Sequence, residues 1–420
     1  MNKRTTLVTA SSMLVALALA GCSSKAADSG GSSSDGELKT DVGVTDDEIT
    51  LAVQTDTSGV FKVLGLAATH GNELWAEEVN ADGGICDREI KLDIQDNGYK
   101  ADNAIPIYET QKANSLGYVQ LIGSPILAAL KQKLIADKVT AVTESWASTN
   151  LDAPEVMMIG QTYDIEMING LAWAQQQGMI ADGDKIGHIY IDSEYGQNGL
   201  LGSQAYAKEH GMEVIGVPVA GTDTDMTATM TKLKDEGVTA IAVTTAPGGM
   251  GSIAVQNVAQ GMNLPLIGNN PVFSTTLLAD ATVTAGLANL YMVSSFAPIS
   301  QDTDEAKKVL DEYKNKFTDP ADIGITHGYA AGLAWGEILK QACEDGDMTR
   351  QGVLDAKSKV DAVDTKGLTG KLDFSKDGSP TTREGFILQP DASVEDGKLK
   401  IVEELFASEE AKAYKAPFEK

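Results

Sequence analysis

The sequence predicts an α/β protein made of two doubly wound lobes. From residue 48 onward, short apolar runs alternate with longer stretches of helical period. The alternation restarts near Asp164, and the chain is long enough for two domains of ordinary size. Repeated units of this length require parallel sheets covered by helices on both faces.

The first series opens with a strand over Ile49–Thr55 and a helix over Val63–Asn80. Strand Ile90–Gln95, helix Ala101–Asn114, strand Tyr118–Ile122, helix Ile126–Asp137 and strand Thr140–Val142 follow. The second series runs from helix Asp164–Gln177 through strand Lys185–Ile191, helix Gly199–His210 and strand Glu213–Val217. Helix Met226–Glu236, strand Ala240–Thr245, helix Ser252–Gln260 and strand Leu264–Ile267 complete it. Beyond it, Thr303–Phe317, Ile325–Cys343 and Thr349–Val360 read as helices. Lys371–Phe374, Phe386–Gln389 and Leu399–Leu405 read as short strands. These pieces are too few for a third domain and complete the first two. A cleft between two such lobes, outside the carboxyl ends of the strands, is where a small ligand sits.

The N-terminus reads as a processing signal. Lys3 and Arg4 precede an apolar run over Met13–Ala20 that is too short to span a membrane. It ends in Leu19-Ala20-Gly21-Cys22, which resembles the bacterial lipobox. That resemblance implies a signal peptide over residues 1–21 and a diacylglyceryl anchor on Cys22. Residues 22–46, rich in Ser, Gly, Lys, Ala and Asp, read as a flexible tether.

A formal charge of −27 argues against nucleic acid or anionic lipid as a partner. With Cys22 lipidated, Cys86 and Cys343 remain; in an exported chain they read as one disulfide, or else as two buried thiols. His70, His188, His210 and His327 are scattered, so no metal site is expected. No cofactor fingerprint is present at a strand–helix junction. Gly248-Gly249-Met250-Gly251 lacks the Lys and Ser/Thr of a phosphate loop, and Asp223 and Asp225 lack the rest of a calcium loop. Nothing pairs a nucleophile with a base, which argues against an enzyme.

Four stretches carry a family resemblance: Thr57-Ser58-Gly59 with Gly65; Glu78 to Ile85 followed by Arg88-Glu89-Ile90 and Asp96; Ile191 to Gly196; and Gly328-Tyr329-Ala330-Ala331. In this order they are similar to the solute-binding proteins of ABC importers of the branched-chain amino-acid type, the type I periplasmic-binding fold. The resemblance implies three crossovers, near 160, 295 and 365, forming a hinge. Lobe 1 then comprises 47–160 and 296–365, and lobe 2 comprises 161–295 and 366–420. It also implies an extracytoplasmic lipoprotein that closes on a small polar solute, a branched-chain amino acid or a related amide or carboxylate. The implied partners are that solute and an ABC permease, with the membrane reached by the lipid anchor alone. A ligand-binding subunit of a sensory system is the alternative on the same fold.

An α-amino acid needs donors for its carboxylate and a carboxylate for its ammonium. The resemblance places the donors in the loops holding Ser124 and Ser145-Trp146-Ala147-Ser148. Ser58, Phe61 and Trp146 are further wall candidates, and Tyr195 matches a ligand-contacting position. Where relatives carry the acid for the ammonium, this chain has Gly249. Either Glu144, Asp56 or Asp164 replaces it, or the ligand is not an α-amino acid.

Overall fold

The computed structural model describes residues 38–420. The signal segment, Cys22 and the tether as far as Glu37 lie outside the described residues. In chain order the first lobe opens with β1 (Lys39–Thr40), β2 (Glu48–Thr55), α1 (Lys62–Ala81), β3 (Glu89–Asp96) and α2 (Ala101–Gln111). It continues with β4 (Gly117–Ile122), α3 (Ser124–Asp137), β5 (Ala141–Glu144) and β6 (Val156–Met157). The chain then crosses to α4 (Tyr163–Gln176), β7 (Lys185–Ile191), α5 (Glu194–Glu209), β8 (Glu213–Val219) and α6 (Thr227–Glu236). After them come β9 (Ala240–Thr244), α7 (Pro247–Ala259), β10 (Leu266–Gly268), α8 (Ala281–Leu287) and β11 (Leu290–Ser294). It returns for α9 (Asp304–Lys316), α10 (Gly324–Glu344), β12 (Asp347–Met348) and α11 (Arg350–Lys357). It ends with β13 (Gly385–Pro390), β14 (Leu399–Phe406) and α12 (Glu409–Ala413).

The first sheet has the order β3-β2-β4-β5-β6, parallel throughout. The second runs β14-β13-β11-β10-β9-β7-β8, with β13 and β14 added antiparallel at one edge. Central strands such as Tyr118–Ile122 and Ala240–Thr244 are buried along their whole length, as parallel strands covered on both faces must be. In the first lobe α1 lies along α10. A Cβ on Gly328 would stand 1.8 Å from the carbonyl oxygen of Ala68, so the helices approach this closely only because residue 328 is glycine.

The three crossings lie side by side. The Gln161 amide donates to Ser295 Oγ at 2.8 Å, Phe296 bridges to Thr369, and Thr381 Oγ1 donates to the carbonyl of Met158 at 2.7 Å.

Four expectations need correction. Lys371–Phe374 is not a strand; Leu372 makes only an isolated bridge to Val363. Residues 371–381 pack on Leu151–Met158 and Lys357 in the first lobe, so the third crossing falls later than 365. The described end of the tether is ordered: Lys39–Thr40 pairs with Asp347–Met348, and Val44 is buried. Finally, Leu290–Ser294 is a full strand of the second sheet that the apolar pattern did not flag.

Cys86 and Cys343 are joined by a disulfide spanning 257 residues, which ties the turn before β3 to the end of α10. Closing so long a loop stabilises by up to about 5 kcal/mol through the entropy of the unfolded chain. Reductant is therefore expected to lower the urea midpoint of the mature protein, and intact mass to rise by two hydrogens on reduction. An unchanged midpoint and mass would contradict the bridge.

Candidate functional site

The carboxyl ends of both parallel sheets face each other, and several helices begin there. The amino ends of α3, α4, α5 and α7 are supplied by Ser124, Tyr163, Glu194 and Pro247, immediately after a strand or a crossing. Unpaired backbone amides and the positive ends of the helix dipoles make such a convergence favourable to an anion.

On the first lobe, Ser124 and Ser145 are buried with their hydroxyls 2.9 Å apart. Gly123 precedes α3 with φ of 112°, a conformation that opens the turn and that side chains resist. The Tyr99 ring packs against this glycine, and burial raises the Tyr99 hydroxyl above its ordinary pKa. Phe61 is buried against Tyr99, with ring centres 4.9 Å apart. Trp146 is buried, donates Nε1–H to the Thr143 carbonyl at 2.6 Å, and packs among Tyr163, Phe296 and His327. Ala147 is buried beside it. Ser58 stands apart. It is exposed, and its hydroxyl donates to Asp96 at 2.7 Å, so it belongs to the rim.

On the second lobe, Tyr195 lies in the first turn of α5, edge-on to Tyr163 with centroids 4.7 Å apart. The Tyr163 amide donates to the Trp146 carbonyl at 3.1 Å, across the junction. Burial first, then neighbouring Tyr163, Glu166 and Tyr99, hold the Tyr195 hydroxyl well above its ordinary pKa. These phenols therefore keep their protons. Gly249 is buried in the first turn of α7. A side chain starting there would meet the Met226 methyl at 3.0 Å, so an apolar group occupies the approach.

Each carboxylate proposed to stand in for the missing acid is already engaged. Asp56 accepts from the amides of Ser58, Gly59 and Phe61, and so shapes the turn into α1. Glu144 accepts from His327 Nδ1 at 3.0 Å, and that imidazole is stacked on Phe296 at 3.9 Å. Asp164 accepts from Ser148 Oγ at 2.6 Å, Asn198 Nδ2 at 3.2 Å and the Tyr414 hydroxyl at 3.1 Å, and also from Thr162. Ser148 thus belongs to a bond between the lobes rather than to an open pocket.

Four residues at the centre went unread in the sequence: Tyr99, Tyr163, Glu166 and His327. Glu166 is fully buried. One carboxyl oxygen accepts from Asn269 Nδ2 at 3.0 Å and from the Asn270 amide at 3.2 Å, while Oε1 has no protein partner. Burial, the largest influence, raises its pKa well above the carboxylate range, and nearby Asp164 adds to this. Its position at the fourth residue of a helix that follows a crossing was the only available signal.

Residues 48–398 match the periplasmic binding protein family. Among solved structures, the chain is 35% identical to a fatty acid ABC transporter substrate-binding protein from Thermomonospora curvata, with a TM-score of 0.87, covering 90% of this chain and 97% of that one. A branched-chain amino acid ABC transporter protein from Thermus thermophilus with bound valine has the same fold at 15% identity (TM-score 0.76; 88% and 99% covered). So does a leucine binding protein from Thermotoga maritima at 16% (TM-score 0.72; 85% and 98% covered). No curated protein matches the chain. The described residues therefore form a two-lobed type I structure, and the chain belongs to the periplasmic binding protein family.

Proposed function

We propose that this protein is the extracytoplasmic, lipid-anchored binding component of an ABC importer, and that its ligand is a monocarboxylate with an apolar tail. The observation that carries this reading is a cleft furnished with donors but with little to receive a cation. The Ser124 and Ser145 hydroxyls lie there 2.9 Å apart, at the start of α3 and in the loop after β5, with Tyr99, Tyr163 and Tyr195 packed beside them. Where an ammonium would need an acid, Gly249 leaves room that Met226 occupies. Phe61, Trp146 and Phe296 supply apolar wall. The 35% identity with a fatty acid transporter's binding protein supports the same ligand class. On opening, the three crossings absorb the motion while each lobe moves as a body.

One observation favours a second reading. The unpartnered Oε1 of Glu166 would suit a ligand ammonium, which would return the ligand to the amino-acid class. On the carboxylate reading Glu166 stays protonated and donates to the ligand instead.

The two readings separate on Glu166→Gln. Decanoate is expected to raise the melting temperature of both the wild type and the variant, and leucine that of neither; at a hundredfold excess over Kd the effect is about 2.7 kcal/mol. Leucine stabilising the wild type but not the variant would favour the amino acid instead. The same variant tests the proton. A carboxyl with a raised folded pKa contributes stability that is fully present below its unfolded pKa and lost as pH rises toward the folded value. As pH rises above the ordinary carboxylate range the wild type should therefore lose stability relative to Glu166→Gln, read from urea midpoints. A constant difference would mean that Glu166 is ionised. For the anchor, Cys22→Ala should move the protein from membranes to the soluble fraction, and full membrane retention would count against lipidation at that residue.

A further inference from the structure

Tyr163 and Tyr195 are buried and packed on each other at the head site, so a long tail needs space elsewhere, at the mouth between the lobes. A cavity of about 220 Å³ opens beside the start of α1. Val63 and Leu66 form one wall on a single helical face, with Tyr313 and Pro320 opposite, and Thr275 and Thr276 close it from the second lobe. Val63 and Leu66 are only half-buried, so apolar surface faces this space. The space is several times the volume of about 30 Å³ that a water occupies in the liquid.

Two features link it to the head site. Tyr99 packs on Gly123, immediately before Ser124, and on Phe61, which runs directly into Lys62, where α1 begins. The far wall is held by hydrogen bonds between the lobes. The Thr275 amide and hydroxyl both donate to Asp322 Oδ2 at 3.2 Å, while Asp322 Oδ1 accepts from the Gly324 amide at the start of α10. The cavity is therefore a product of closure, with walls from both lobes.

We propose that this cavity is the tail subsite for the carboxylate ligand, and that Leu66 and Thr276 set the chain length the protein accepts. The inference rests on the carboxylate reading above. The head is held by the serines and amides at the carboxyl ends of β4 and β5. The chain passes the Phe61–Tyr99 pair and ends along α1. One turn further on, His70 closes the same face: its ring stacks on Phe317 at 3.8 Å, and its buried Nδ1 has no partner. A chain that reaches this point meets aromatic and imidazole surface, which limits its length.

The test is a titration series with hexanoate, decanoate and tetradecanoate by calorimetry, on wild type, Leu66→Trp and Thr276→Trp. Each methylene buried is worth about a fourfold gain in affinity, so wild-type Kd should fall steeply from hexanoate to decanoate. Either tryptophan should leave hexanoate within about twofold and weaken tetradecanoate by about tenfold or more, the equivalent of losing two or so methylenes. Thr276 is exposed, so its variant reads the subsite even if the helix substitution disturbs folding. Equal affinity of all three acids for the wild type, or the same loss for all three acids in Thr276→Trp, would overturn the tail subsite while leaving the carboxylate reading standing. Failure of every acid to bind the wild type would overturn both.

Discussion

Inside an interface between two lobes, a carboxylate survives only when donors surround it, and Asp164 is where that requirement joins the halves of this molecule. It takes hydrogen bonds from Ser148 on the first lobe, from Asn198 and Thr162 on the second, and from Tyr414 near the carboxyl terminus. Asn198 Oδ1 in turn accepts from the backbone amides of both Ser148 and Asp164. Burial still raises the Asp164 pKa, so no donor is superfluous. Removing one partner of a buried charge costs more than the bond itself contributes, because the group left behind has no water to turn to. The closeness of α4, α5 and the loop after β5 follows from this demand. A Cβ on Gly202 would stand 2.3 Å from the Asp164 carbonyl oxygen, so α5 is admitted only by a glycine.

The same demand decides what the neighbouring cleft can recognise. Asp56 and Asp164 are each bonded through both carboxyl oxygens within the protein, and Glu144 through one, to His327. The groups left between the lobes are hydroxyls and amides, together with Glu166, whose pKa burial raises. A receptor made of neutral donors at helix starts favours an anion without a lysine or arginine, provided the anion displaces whatever now covers those donors. Tyr99 and Tyr163 cover these loops: the Tyr99 ring packs against Gly123, before Ser124, and the Tyr163 ring against Trp146. A carboxylate oxygen is a stronger acceptor than a phenol, since hydrogen bonds to ionised acceptors are about twice as strong.

Much of the fold was legible because parallel strands buried on both faces write themselves as continuous apolar runs. Lys185–Ile191 was read to the residue, and β2, β4 and β9 to within one. Ser124, Ser145 and Trp146 were named from the family resemblance, which could be applied because the loops that hold them follow such runs. What stayed hidden depends on contacts between distant segments. Leu290–Ser294 carries apolar residues like its neighbours but has a tyrosine and no turn signal to frame it. Residues 371–374 form only an isolated bridge to Val363, and their other backbone bonds go to Val360 and Thr381 rather than to a strand. Glu166 and His327 sit inside helices whose pattern they do not disturb; only the sheets that bring Asn269 and Glu144 beside them give those side chains a role.

Closure and ligand chemistry are therefore two consequences of one arrangement. Opening the lobes would separate Thr275 from Asp322, and the break leaves polar groups that water must reach. Water enters easily at the exposed mouth near Thr276 and Pro320, and with difficulty at the Asp164 network. The mouth should open first and furthest, with the Asp164 network acting as the pivot beside the three crossings. A ligand whose head is fixed near the pivot and whose tail reaches the mouth touches both lobes where their separation is greatest. Apolar contact at that end gains the most from closure, because it removes surface from water only when the second lobe arrives. A short polar solute bound at the pivot alone would have far less leverage on the same equilibrium.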